Sequence, residues 1–255
     1  MKNQLNAKPD YGNWVSKRLV YSSAIIGAVL LILPFFTLWL LIIPSLLFFL
    51  IAAYFAYARY LFSAKGGNVQ DKVWETVISS LDWQGDGKAL DIGCGNGALT
   101  IKLGRKFPAA KVTGIDYWGE RWEYTKDGCE ANAKAEGVED HVVFQKASAS
   151  KLPFADGYFD AAVSNLCFHE VADTKDKREI ILEALRVVKK GGKFAFQDLF
   201  LLKQVYGEPE ELVATIKGWG MARVEFMETR NQPFVPTALK LPFMIGRMGI
   251  IKGEK

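Results

Sequence analysis

The sequence predicts an α/β protein: an open, mostly parallel sheet covered by helices, preceded by two strongly apolar helices. Three observations carry this reading. From residue 70 onward, short apolar runs alternate with stretches of helical period, the pattern of repeated strand–helix units. One of those runs leads straight into three glycines at alternate positions, Gly93, Gly95 and Gly97, after which a helix begins. Upstream, no Asp, Glu, Lys, Arg or His occurs between Arg18 and Arg59, although 24% of the whole chain is charged.

Residues 1–18 are polar and expected to be partly ordered. The charge-free interval after them is long enough for two passes, because about 20 apolar residues span a hydrocarbon core. Residues 19–62 are therefore read as a transmembrane helical hairpin, with helices over 19–33 and 38–62 and a turn at 34–37. Pro34 and Pro44 mark turns or kinks. The first helix is short for a span. A single tilted helix, a hairpin dipping into one leaflet, and a buried pair in a soluble protein stay open. Lys17 and Arg18 precede the interval and Arg59 and Lys65 follow it, which puts both ends on the cytoplasmic side. The expected location is the membrane, with the following domain facing the cytoplasm. A cleaved signal peptide fits poorly, since the apolar run is far too long.

Residues 63–69, containing Lys65-Gly-Gly-Asn68, read as a linker, and residues 70–255 as the main domain. A helix over 73–81 opens it. The strand 88–92 (Ala89-Leu-Asp-Ile) stops at Gly93, and a helix over 97–106 follows the glycines. A strand over 111–116 ends in Asp116, and a helix over 119–136 precedes a strand at 141–145. A fourth strand covers 159–164, then a helix 175–188 and a fifth strand 193–198. A helix over 209–219 and strands at 222–228 and about 248–252 complete seven strands. Strands alternating with helices imply a sheet buried on both faces.

The glycine turn builds a nucleotide site, because glycines are needed where a ligand must lie against bare main chain. Gly93-x-Gly95-x-x-Ala98 satisfies a dinucleotide fingerprint. Asp91-x-Gly93-x-Gly95-x-Gly97 instead resembles motif I of the class I S-adenosylmethionine-dependent methyltransferases. Two further segments favour the second reading. Leu152-Pro-Phe-Ala-Asp-Gly-Tyr-Phe-Asp160 resembles that family's segment before its fourth strand. Glu183-Ala-Leu-Arg-Val-Val-Lys-Lys-Gly-Gly-Lys193 resembles its helix end before the fifth. The resemblance covers the chain from about residue 70 onward and is closest to quinone, lipid and other small-molecule methyltransferases. It implies a Rossmann-like seven-stranded sheet and S-adenosyl-L-methionine as cofactor.

On that resemblance the cofactor would lie over Asp91, Gly93, Cys94, Gly95, Asn96 and Gly97, its methionyl carboxylate near the turn amides and the helix N-terminus. Cys94 supplies the small side chain that such a turn needs. Asp116 would accept the ribose hydroxyls. Tyr117 or Trp118 would lie against the adenine, with core or membrane-facing placement as the rival role. Where the family has an acidic residue reaching the adenine amino group, this chain has Ser148. Asn165 would contact the methionyl amine.

Methyl transfer from a sulfonium is chiefly a matter of positioning, with deprotonation of the acceptor where required. The loop after the fourth strand carries His169, whose ordinary pKa of about 6.5 suits a general base. Glu170 is the runner-up, suited to an amine or a cation. The cysteines Cys94, Cys129 and Cys167 show neither metal spacing nor a disulfide framework, so no metal is expected. A net charge of +4 fits an anionic membrane surface better than nucleic acid. Residues 233–246 form an apolar loop broken by prolines, read as a second membrane contact or a wall of the acceptor site, with packing on the N-terminal helices as the alternative.

These readings converge on a membrane-anchored methyltransferase with a lipophilic acceptor. A membrane-tethered cofactor-binding scaffold without turnover, a methyltransferase with a soluble acceptor and, more remotely, a nicotinamide-dependent oxidoreductase are the alternatives. Oligomeric state is not legible.

Overall fold

The computed structural model describes residues 8–32, 39–119 and 124–255. They fall into two compact units, one within residues 12–72 and one of residues 8–11 with the described residues from 73 to 255. The turn expected at 34–37, with Pro34, lies outside the described residues, as do residues 1–7.

In the smaller unit, α1 (Lys17–Ile32) pairs with α2 (Ile42–Phe62), which a short 3-10 turn (Trp39–Leu41) introduces. Pro44 sits in the first turn of α2, where its missing N–H removes no helix bond. The seam between the helices is made of small residues: Ser23, Gly27, Ser45, Ala52 and Ala58 are buried. Ser45 Oγ donates to the Gly27 carbonyl at 2.7 Å. A side chain on Gly27 would meet the Ser45 carbonyl at 3.3 Å, so the absent Cβ sets this close approach. Ile25, Ile32, Ile43 and Leu50 point outward and are exposed. Among the described residues, α2 is the one helix long and apolar enough to cross a membrane by length and composition. The 16 residues of α1 reach about 24 Å, short of a core about 30 Å thick. The arm before α1 closes on α2: Asn13 Nδ2 donates to the Arg59 carbonyl at 3.1 Å, and the Arg59 guanidinium donates to the Val15 carbonyl.

The larger unit carries a seven-stranded sheet in the order β3-β2-β1-β4-β5-β7-β6. Its strands are β1 (Lys88–Ile92), β2 (Lys111–Asp116), β3 (Val142–Lys146), β4 (Phe159–Asn165), β5 (Val188–Asp198), β6 (Arg223–Glu228) and β7 (Gly249–Glu254). The first five run parallel, and β7 pairs antiparallel with both β5 and β6. The helices are α3 (Val69–Ser80), whose first four residues belong to the smaller unit, α4 (Ala98–Lys106), α5 (Lys126–Ala135), α6 (Arg178–Arg186), α7 (Lys203–Tyr206) and α8 (Pro209–Gly218). Phe159, Phe168, Phe194, Phe196, Phe200 and Tyr206 pack with α6 and α8 in one aromatic core.

Several boundaries differ from expectation, and the opening helix begins at Val69 rather than 73. The fifth strand begins at Val188 rather than 193, because Val188 already pairs with Phe159 across a register shift before Ala161. Helix α6 therefore ends at Arg186. Residues 120–123 of the helix expected from 119 lie outside the described residues; α5 starts at Lys126, where Thr125 is its N-cap and its hydroxyl accepts from the Gly128 amide at 3.1 Å. The apolar loop 233–246 divides by face. Val235, Leu239, Met244 and Ile245 are buried, while Leu241 and Phe243 are exposed.

Candidate active site

Parallel strands expose their carboxyl ends at one edge, and a ligand binds where the strand order reverses, here between β1 and β4. The chain leaving β1 turns at Gly93, whose φ is +75°. A Cβ there would stand 2.3 Å from the Cβ of Cys167 and 2.4 Å from its sulfur. The amides of Gly93 and Cys94 both donate to the Ile115 carbonyl, at 2.8 and 2.9 Å, stitching the turn over β2. Gly95, with φ +55°, donates to Asp116 Oδ2 at 2.9 Å. The Gly97 amide is bonded to the Cys94 carbonyl at 2.7 Å. Most turn amides are thus committed inside the protein. An anion at this place meets the first turn of α4, whose amides lack intrahelical partners.

Outer partners hold the turn that the sequence did not reveal. The Gly95 carbonyl accepts from Trp118 Nε1 at 3.0 Å and from Cys129 Sγ at 3.0 Å. The Asn96 carbonyl accepts from Asn132 Nδ2 at 3.0 Å, and the same side chain grips the backbone of Asp10. All three cysteines therefore lie around this one turn. Burial pushes the thiols of Cys94 and Cys167 up, so they stay protonated.

Beneath the turn, Asp91 is buried. Thr100 Oγ1 donates to its Oδ2 at 2.6 Å, while its Oδ1 has no partner. Burial raises its pKa to about 7 against the pull of the Thr100 bond. Asn165 stands two residues past Val163, the β4 partner of Asp91, and so shares its face of the sheet. Its Oδ1 is also buried and unpartnered. Asp116 accepts from the Gly95 amide through Oδ2 and from the Trp118 amide through Oδ1 at 2.9 Å. A carboxylate has about four acceptor sites, so two remain for hydroxyl donors. Two orphaned acceptors and a half-satisfied carboxylate fit a cationic ligand rich in hydroxyls.

Tyr117 is 65% exposed, with Lys146 Nζ 5.2 Å from its ring centre, so it is a surface ring beside β2 rather than a core residue. Ser148, at the exit of β3, shares a 2.8 Å hydrogen bond with Ser150 Oγ.

The second half of the site follows β4. Leu166 takes φ +55°, a strained conformation for a side chain of its kind, held by its amide on the Gln197 carbonyl at 2.9 Å. Cys167 then lies against Gly93, and a 3-10 turn (Phe168–Glu170) presents His169. His169 Nδ1 donates to Asp198 Oδ1 at 2.6 Å, and Nε2 lies 3.3 Å from Glu170 Oε1. Asp198, which the sequence reading missed, is fully buried at the end of β5 and also accepts from the amides of Phe168 (2.8 Å) and Leu199 (2.6 Å). The Tyr206 hydroxyl is buried without a hydrogen-bond partner, and burial pushes its pKa up. Burial alone would lower the pKa of His169. The bonds to Asp198 and Glu170 outweigh it and lift the imidazole to about 9, not the ordinary 6.5 expected from sequence.

Residues 90–196 match the family model described as a methyltransferase domain, a stretch that takes in the glycine turn, Asp116 and His169. A 27-O-demethylrifamycin SV methyltransferase of Amycolatopsis mediterranei is 30% identical over 136 residues, 53% of this chain and 47% of that protein. A ubiquinone/menaquinone biosynthesis C-methyltransferase of Desulfotalea psychrophila is 30% identical over 125 residues, 49% of this chain and 46% of that one. The chain spans about half the length of these curated relatives. Among solved structures, a geranyl diphosphate C-methyltransferase of Streptomyces coelicolor shares the fold, with a TM-score of 0.57 and 17% identity over 75% of this chain and 81% of that one.

Proposed function

We propose that this chain, whose residues 90–196 match a methyltransferase domain, is an S-adenosylmethionine-dependent methyltransferase acting on a small lipophilic acceptor at a membrane. One observation carries the reading. The glycine turn covers two unpartnered buried acceptors, Asp91 Oδ1 and Asn165 Oδ1, and abuts the loop that presents the His169–Asp198 pair.

S-adenosylmethionine, when bound, supplies a methyl group already activated as a sulfonium. The residues of this chain hold and orient. Asp91 and Asn165 offer acceptors to an ammonium group, whose charge would draw Asp91 back to its ionised form. Asp116 takes ribose hydroxyls on its two spare acceptor sites. The exposed Tyr117 ring is available to a base. Asp198 fixes the Nδ1–H tautomer of His169, leaving Nε2 to receive a proton from an acceptor hydroxyl or enol. Below about pH 9 Nε2 itself carries a proton, so His169 accepts one only in its neutral fraction.

Residues 19–62 anchor the chain as a helical hairpin, with the 70–255 domain on the cytoplasmic side. Support comes from the small-residue seam between α1 and α2, their apolar outer surfaces and the basic flanks. A poorly water-soluble acceptor is reason to hold an enzyme at a bilayer, and the quinone-pathway relative fits that acceptor class.

Calorimetry with S-adenosylmethionine tests the site, and transfer of a labelled methyl group into membrane lipid extracts tests the acceptor. Absence of binding refutes the function. Binding without transfer to any extract favours a scaffold, and label confined to soluble products removes the membrane acceptor.

A further inference from the structure

We infer that Asp173 sets the hydrogen-bond polarity at the adenine edge of the site: acting through Ser148, it makes that edge select an exocyclic amine over a keto oxygen. The inference rests on the proposed function. It concerns a residue to which neither the sequence motifs nor the domain match gives a role.

The place is defined by main-chain bonds. The amide of Ala147 donates to the carbonyl of Asp116 at 3.0 Å, so the chain leaving β3 lies directly beside the residue assigned to the ribose. Ser148 follows and stands where a carboxylate is expected for the adenine amino group. The tertiary structure returns a carboxylate from elsewhere. Asp173 lies 25 residues further on, in the loop between the 3-10 turn that carries His169 and helix α6. Its Oδ2 accepts from Ser150 Oγ at 2.6 Å and is 3.4 Å from Ser148 Oγ. The two serine oxygens are 2.8 Å apart, and the Ser150 amide donates to Ser148 Oγ at 3.3 Å.

Counting protons decides the direction of these bonds. A carboxylate accepts only, and a hydroxyl has one proton and two lone pairs. The short bond to Asp173 commits the Ser150 proton. The bond between the serines must then use the Ser148 proton, which points inward at Ser150 or at Asp173. One Ser148 lone pair receives the Ser150 amide, and the other faces outward. Ser148 therefore presents an acceptor, which an adenine N6–H can meet and a keto oxygen cannot. Remove Asp173 and both hydroxyls rotate freely, so Ser148 can donate as readily as accept. Asp173 is thus a positioning residue. The bridge between Ser148 and Lys151 holds the backbone on which it acts.

The test compares two nucleosides by titration calorimetry on the full chain in detergent: S-adenosylhomocysteine and its deaminated form, S-inosylhomocysteine. The wild type should bind the adenosyl compound at least tenfold more tightly, the order of one hydrogen bond. D173A should collapse that ratio by about tenfold, through weaker adenosyl binding and unchanged or stronger inosyl binding. S148A should lose the same preference, and adding D173A to it should change the ratio no further. If D173A leaves the ratio unchanged, or weakens both ligands equally with a lower melting temperature, Asp173 is only a structural residue and the inference is wrong. If the wild type binds neither compound, the proposed function fails, and the inference with it.

Discussion

Replacing Asp198 by Asn removes the charge that holds His169 protonated. The rise of the imidazole from 6.5 to about 9 corresponds to roughly 3 kcal/mol of preference for the charged form. The His169 side chain is 19% exposed, so solvent screening discounts this little, but Glu170 supplies part of it and stays. A group whose folded pKa is raised stabilises the fold fully below its unfolded value. It loses that contribution as pH climbs through the folded value. The wild type should therefore lose up to roughly 3 kcal/mol of unfolding free energy between pH 6.5 and 10 that D198N does not lose. Nitrogen-detected NMR of the imidazoles is the direct assay, since the chain has only two histidines to assign. His169 should titrate near 9 in the wild type and fall well toward 6.5 in D198N. E170Q should move it less, because that carboxylate is longer-ranged at 3.3 Å and half exposed. A wild-type His169 titrating near 6.5, or unmoved in D198N, would refute the pairing.

Other perturbations probe the rest of the molecule. The rate with an acceptor hydroxyl should rise with pH and level off near 9, as the neutral imidazole becomes available, and kcat/KM profiles would show it. Gly95→Val should abolish cofactor binding, because a β-branched residue opposes φ +55° and puts bulk on the turn. Asp116→Ala should weaken binding by about 1.5–3 kcal/mol, as for hydrogen bonds to a charged group, read by calorimetry. Binding at pH 7 should release a fraction of a proton, because Asp91 titrates near 7 without ligand and an ammonium partner ionises it; calorimetry in buffers of different ionisation enthalpy measures this. Gly27→Leu should separate α1 from α2 and break the Ser45 bond, seen as lost protection of the hairpin against proteolysis.

Features that depend on local backbone chemistry were legible in the chain. Gly93 and Gly95 advertise positive φ, and the alternation of runs announces the parallel strands. The end of β2 places Asp116 without reference to anything distant. Where local signals failed, a remote partner decided. Val188 looked like the end of a helix, yet pairing with Phe159 makes it strand. The bonds of Cys129 and Asn132 to the glycine turn exist only because α5 is laid against it. The pKa assigned to His169 was wrong because Asp198, 29 residues away, carries the correction.

The order of residues thus determined where a ligand could touch bare main chain, how many strands would flank it and which stretch would shun water. Each follows from steric limits or side-chain polarity read over a few neighbours. Only the tertiary structure decided the charge states and the free valences: the lone pair left over on Asp91, the proton locked on His169, the carboxylate of Asp173 beside Ser148. Those depend on burial and on partners brought together across the sheet edge, and no window of sequence contains both sides of such a bond.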